Sequence, residues 1–380
     1  MPLFRITNDP RPYAWGSRAA IAELRGVEPS GEPEAELWFG THSGSPARIV
    51  AAEGARAPRT LAEAVAAEGG DGHLPYLLKL LAAASPLSLQ AHPTAEQAQR
   101  GFEREEAAGI PVDAPHRNYR DRSPKPEVIL AVSERFEALC GFREPAESAA
   151  AIRELADGDP ALEDLAARVE GGPLRDVFEW LITRGEGVQE LVATAQRLAK
   201  ARDGAAADTV RMLAAEYPAD PGVVIALLLN RVELRRGEAL FLPAGNIHAY
   251  LHGMGVELMT ASDNVLRGGL TPKHVDVAEL LSVLDFTPGS PPRIVPEQID
   301  AGVDAFRPEG VDFELVRVRG GGTFVATGGS IALCIRGNAE LRTDVTELPL
   351  SQGEAVYISR GESARVQAAP HGEIVVASQR

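Results

Sequence analysis

The chain has 380 residues, 44% of them apolar and 24% charged, enough to bury more than one core without disulfides. Lys and Arg number 38 against 54 Asp and Glu, a formal charge of -16, which argues against nucleic acid or an anionic membrane as partner. An anionic substrate would therefore need a local cluster of bases. The two cysteines, Cys140 and Cys334, form no CxxC pair and read as reduced thiols. The opening MPLFRITNDP has no apolar signal core, and the longest aliphatic run, residues 223–229, is too short to span a bilayer. A cytoplasmic monomer is the expectation.

Residues 36–41 read as a strand and 60–67 as a helix stopped by Gly69 and Gly70. Residues 74–84 form a buried apolar segment interrupted only by Lys79. Residues 88–92 alternate in the β manner up to Pro93. Thr94 then fits an N-cap, with Gln97 in capping-box position and Gly109 closing the helix. Residues 125–132 read as a strand past Pro124 and Pro126. At Glu144-Pro145 the pattern turns helical, with Ile152, Leu155, Leu162, Leu165, Phe178, Leu181, Val188 and Leu191 at helical spacings. From Val232 it turns to strands, at 232–242 and 247–259. One helix near 276–284 follows, then strands at 313–318, 331–335, 355–358 and 373–377. The expected fold is mainly β with a helical insertion. One β unit comprises 1–143 and 231–290, the insertion is 144–230, and a second β unit is 291–380.

Gly237-Glu238-Ala239-Leu240-Phe241-Leu242-Pro243-Ala244-Gly245 is echoed by Gly353-Glu354-Ala355-Val356-Tyr357-Ile358-Ser359-Arg360-Gly361, which suggests two copies of one barrel unit. The first copy continues to His248. Its Gly, Pro, Gly and His spacing resembles the second motif of the cupin barrels, whose His points inward and can bind a metal. His252 stands where that motif usually has Asn. The second copy has Ala364 in place of the His, so its barrel is expected to be metal-free.

On a strand, residues two apart face the same way. Gln90 and His92 form one such pair, and Lys125 and Glu127 another. With His248 they offer two imidazoles, a carboxylate and an amide oxygen. That mixed set suits Zn²⁺ with an open position, and Mn²⁺ or Fe²⁺ would also fit. Each residue alone has an ordinary reading: a satisfied structural His, a solvated Gln, a solvated edge Lys. Asp263-Asn264 alone would be a turn. His73, His116 and His371 read as surface residues, and His42 and His274 carry no argued role.

Several blocks, in order over about residues 10–290, resemble the type I phosphomannose isomerase family, within the cupin superfamily. Pro86-Leu87-Ser88-Leu89-Gln90-Ala91-His92-Pro93 is similar to its PLSIQxHP motif. Asn118-Tyr119-Arg120-Asp121 with Lys125-Pro126-Glu127 is similar to its N-Y-x-D and K-P-E block. His248-Ala249-Tyr250-Leu251, then Ser262 through Lys273, are similar to its HAYL and SDNVxRxGLTPK signature. The resemblance implies jelly-roll cupin barrels in a bicupin-like arrangement. It implies one Zn²⁺ per chain, held by Gln90, His92, Glu127 and His248, with Arg267 as active-site residue. It also implies interconversion of mannose 6-phosphate and fructose 6-phosphate, a small-molecule substrate whose product can serve GDP-mannose synthesis. The family's usual His before K-P-E is Pro124 here, and Thr94-Ala95-Glu96 replaces a segment that often carries Lys.

Aldose–ketose isomerisation needs a base, a stabiliser for the enediolate and an anchor for the phosphate. Lys125 and Asp263 are the acid/base candidates. Arg267 would meet developing negative charge. Lys79, Ser88 and Lys273 would hold phosphate or sugar oxygens. Two other classes compete: a cupin dioxygenase with a His/carboxylate iron site, and a non-catalytic sugar-binding cupin.

Overall fold

A computed structural model of the chain describes residues 3–50, 58–69 and 71–380. Gly70, one of the two expected helix stops, lies outside the described residues.

Strand Tyr76–Ala83 is buried at all eight positions, which explains its unbroken apolar run. It pairs with strand His248–Thr260, the long spine of the first barrel. The C-terminal half of that spine lies between Tyr76–Ala83 and Glu127–Ala131. Its N-terminal end instead pairs with Arg135–Phe142 and, at His248, with Gln90. The register shifts between Tyr250 and His252. Gly253 follows with φ +110°, and a Cβ there would stand 2.6 Å from the carbonyl oxygen of Arg135. The bend therefore requires glycine, and through it one strand serves two sheets.

The period of two gives the barrel a polar end and an apolar end. Ile129 and Ala131 share a face with Glu127, Leu81 and Ala83 with Lys79, and Tyr250 with His248. The apolar members close on Phe136, Ala138, Cys140, Val232, Leu234, Leu240 and Leu242 in one core. The polar members are left together at the other end.

Helices Pro145–Ala156, Pro160–Gly171, Leu174–Ile182, Val188–Ala199 and Ala205–Glu216 occupy the stretch read as helical. Two of them start on Pro, whose missing N–H lacks a helical partner there in any case. Their apolar faces join Leu139, Phe142, Ile247 and Leu266 in a second core. The run 223–229 becomes a buried turn of helix, Gly222–Ile225 and Ala226–Leu228, entering strand Leu229–Arg235. Helix Ala95–Ala107 carries the capping box expected of Thr94 and Gln97. Among the described residues no helix is long and apolar enough to cross a membrane.

The last strands form an eight-stranded and a four-stranded sheet. One assignment needs correction. Strand Leu3–Thr7 pairs with Ala355–Ile358, so the start of the chain belongs to the C-terminal sheet and not with the 1–143 unit. Hydrogen bonding decides this, because the N-terminal strand lies between a strand some 350 residues away and the short strand Arg48–Ile49. Tyr76 ties the two units further, its hydroxyl donating to the carbonyls of Gly329 and Ala377 at 2.7 and 3.1 Å. The stretch 232–242 is broken at Gly237 into Leu229–Arg235 and Ala239–Leu242.

The echoed Gly-Glu segments have matching turns. Gly237 and Gly353 both have positive φ, 83° and 84°. Glu238 accepts from the backbone N–H of Arg235 at 3.0 Å, and Glu354 from that of Ser351 at 2.7 Å. Ala364 is buried in a hydrophobic core of the C-terminal sheets.

Candidate metal centre and anion cleft

The spine strand delivers His248, the short strand beside it delivers Gln90, and the strand on its other half delivers Glu127. His92 follows Gln90 by two. These side chains meet. His92 Nε2 lies 3.3 Å from Glu127 Oε1, and His248 Nε2 lies 3.3 Å from Glu127 Oε2. Gln90 Nε2 is 3.3 Å from His248 Nε2. His92, Glu127 and His248 are each 1% exposed, and their donor atoms all lie within 4.8 Å of one another.

The tautomers follow from the backbone. His92 Nδ1 faces the carbonyl of Asn264 at 2.7 Å, and His248 Nδ1 faces that of Asn246 at 3.0 Å. A carbonyl only accepts, so both rings carry a proton on Nδ1 and turn Nε2 toward the cluster. Burial, then the nearby Lys125, lowers the His92 imidazole to about 4, so it is neutral near pH 7. Its Nε2 lone pair therefore faces a carboxylate. Both His92 Nε2 and Glu127 Oε2 are buried without a hydrogen-bond partner among the described residues. Acceptors turned on one another inside a protein are unfavourable unless a cation lies between them, so the donor set fits a metal ion. Turning the Gln90 amide over would add its oxygen to the set.

Burial alone would raise the Glu127 carboxyl. The Lys125 ammonium outweighs it and holds that carboxyl well below its usual range. Lys125 Nζ is 2.9 Å from Glu127 Oε1, as the i,i+2 relation predicts.

Lys79 was expected to hold substrate oxygens, and its surroundings disagree. It is 5% exposed, with Nζ 2.8 Å from Glu257 and 4.0 Å from Glu36. Burial works against its charge, but Glu257, Glu36 and Glu127 together push its ammonium above the ordinary value. Three carboxylates around one ammonium leave no place for a phosphate. Tyr250 donates to Glu257 at 3.0 Å, and Trp38 Nε1 to Glu36 at 2.7 Å. Burial keeps the Glu257 carboxyl above its ordinary range despite Lys79. Glu257 and Glu36 are absent from the residues read as candidates. A lone acid inside an apolar strand, as in Gly255-Val256-Glu257-Leu258-Met259, is the signal that could have found Glu257.

Arg267 is the register partner of Gln90, which places it beside the cluster. Burial, then Arg120, lowers its guanidinium. Lys273 is lowered by burial, then by Arg267 and Arg120. The two expected cations thus feel one another, and Arg120 joins them. Asp263 lies 3.2 Å from His42 Nε2, which holds its carboxyl below the usual range. His42 Nδ1 accepts from the N–H of Gly44 at 3.1 Å, so its Nε2 carries the proton toward Asp263. Ser88 is half-buried two residues before Gln90. His73, His116 and His371 are exposed.

A family model described as "Phosphomannose isomerase type I, catalytic domain" matches residues 3–145. The mannose-6-phosphate isomerase of Escherichia coli (strain K12) is 36% identical over 386 residues, covering 97% of this chain and 98% of that one. This chain belongs to the type I phosphomannose isomerase family. The mannose-6-phosphate isomerase of Homo sapiens is 29% identical, over 96% of this chain and 95% of its own. Among solved structures, the apo form of mannose 6-phosphate isomerase from Salmonella typhimurium matches with TM-score 0.87 and 32% identity, covering all of both chains. A mannose 6-phosphate isomerase bound with zinc and yttrium matches equally, at 0.87 and 32%. As a phosphomannose isomerase family member, the chain has a mainly β cupin fold with a helical region.

Proposed function

We propose that the chain interconverts mannose 6-phosphate and fructose 6-phosphate, with one zinc ion held by Gln90, His92, Glu127 and His248. The observation that carries this reading is the donor set: two Nε2 atoms and a carboxylate aimed at one buried point, near Arg267 and Lys273, which have no ion pair among the described residues. The names and bound zinc of the relatives agree with it.

When bound, zinc supplies a Lewis acid that favours negative charge on the sugar oxygens. The chain's own residues do the rest. Lys273 and Arg267 draw in the phosphorylated sugar against the acidic background. Arg267, beside Gln90, is positioned to meet charge that develops on the enediolate. Lys125, at the edge of the cluster, carries the proton between C1 and C2 of the sugar. Asp263 is a poorer base, because His42 stabilises its charged form. We assign it to holding Lys125 and the sugar hydroxyls in place. Ser88 contacts sugar oxygens at the same rim. Lys79, held between Glu36 and Glu257, also feels the Glu127 carboxylate and so helps to keep the cluster in place.

His248→Ala tests the metal assignment. The variant should keep its circular dichroism spectrum and lose most bound zinc and turnover. A folded variant with full zinc content and activity would refute it.

A further inference from the structure

We propose that Arg120 joins Lys273 in binding the phosphate group of the sugar phosphate at the outer rim of the cleft; this rests on the isomerase reading above.

Three arginines lie within residues 117–122, and they differ in what they face. Arg117 is buried and bonded to Glu105 at 3.0 Å and Glu106 at 2.7 Å. Arg122 lies over the ring of Phe102, 4.3 Å from its centroid. Among the described residues, the Arg120 side chain has no hydrogen bond, ion pair or ring contact, and it is exposed. Its neighbour Asp121 does not neutralise it. That carboxylate accepts from Ser262 Oγ at 2.9 Å, from the N–H of Asp263 at 2.8 Å and from the N–H of Ser123 at 2.9 Å. The acid of this loop is turned inward and its base is left outward.

The backbone of Arg120 is also tied to the metal cluster. Its N–H donates to Asn264 Oδ1 at 2.7 Å, and Asn264 is fully buried. The carbonyl of the same Asn264 orients His92. Asn264 Nδ2 donates to the carbonyls of Asp121 and Ser123, both at 2.9 Å. One side chain thus clamps the Arg120 loop to the segment that leads, three residues on, to Arg267.

Arg267 and Lys273 likewise lack an ion pair among the described residues. Arg120, Arg267 and Lys273 each feel another's positive charge, and in a chain of charge -16 carboxylates are plentiful to pair them. Such a group suits a dianion. Arginine's planar fork can meet two phosphate oxygens at once. Arg120 is exposed while the metal-facing atoms are buried, so it meets the phosphate end of the sugar, away from C1 and C2. Its effect should fall on binding rather than on turnover.

Steady-state kinetics on the zinc-loaded full chain tests this. Arg120→Ala should raise KM for mannose 6-phosphate about tenfold or more, the scale of losing a charged hydrogen bond, with kcat changed by less than about threefold. Inhibition by inorganic phosphate should weaken by a similar factor, and Arg120→Lys should recover part of both. Arg122→Ala is the control and should behave as wild type. An unchanged KM and phosphate affinity in Arg120→Ala, or a fall in kcat alone, would overturn the inference. Wild-type protein with no turnover would instead sink the isomerase reading. Calorimetric binding of inorganic phosphate to wild type and Arg120→Ala would then still decide whether Arg120 holds the anion.

Discussion

Each imidazole of the cluster has one ring nitrogen committed before any ligand arrives. Asn264 and Asn246 supply the carbonyls, so no second side chain is needed to set the tautomers. The cations beside the cluster divide by position. Arg267 is the register partner of Gln90, whereas Lys273 lies six residues further on and is more exposed. Arg267→Ala should therefore lower kcat by roughly 10²–10³-fold, the scale of losing one stabilising donor in a transition state. Lys273→Ala should chiefly raise KM. Kinetics of both variants on mannose 6-phosphate would show the split. Near-normal kcat in Arg267→Ala, with only KM raised, would make it one more phosphate contact. Arg267→Lys should rescue only in part, since a point charge does not replace a planar fork.

Elements bring these residues together through the bend at Gly253. With φ at +110° and the carbonyl of Arg135 2.6 Å from a would-be Cβ, Gly253→Ala strains the spine strand at its change of partner. A loss of about 2 kcal/mol or more is expected in denaturant unfolding, with zinc affinity reduced because His248 lies on the far side of the bend. An unchanged midpoint would mean that the strand can shift its register freely. The two i,i+2 pairs were readable from the amino-acid sequence because strand periodicity is local. So were the capping box of Thr94 and the repeated Gly-Glu turn. Contacts set by register were not. Nothing near Lys79 in the chain points to Glu257, which lies 178 residues away and meets it through antiparallel pairing. Arg120 was equally hidden, because its loop has no periodicity and its lack of a partner shows only in three dimensions.

At the scale of the whole molecule, the two β units share a core that includes Ile6, Leu37, Tyr76, Leu333 and Tyr357. The pairing of Leu3–Thr7 with Ala355–Ile358 closes the chain on itself. Composition alone could not show this, since both strands look ordinary and their partners lie at opposite ends of the sequence. The same scale explains how an acidic protein can take an acidic substrate. Many of its Arg side chains are paired with carboxylates, whereas Arg267, Arg120 and Lys273, which have no ion pair among the described residues, feel one another's charge near the metal-facing atoms. The central claim is that this cluster works as a zinc-dependent isomerase site. The most direct measurement is turnover of mannose 6-phosphate to fructose 6-phosphate before chelation, after it, and after zinc is restored. The account predicts activity that disappears with the metal and returns as about one zinc per chain is bound. Full turnover in the metal-free protein, or none in the zinc-loaded protein, would contradict it.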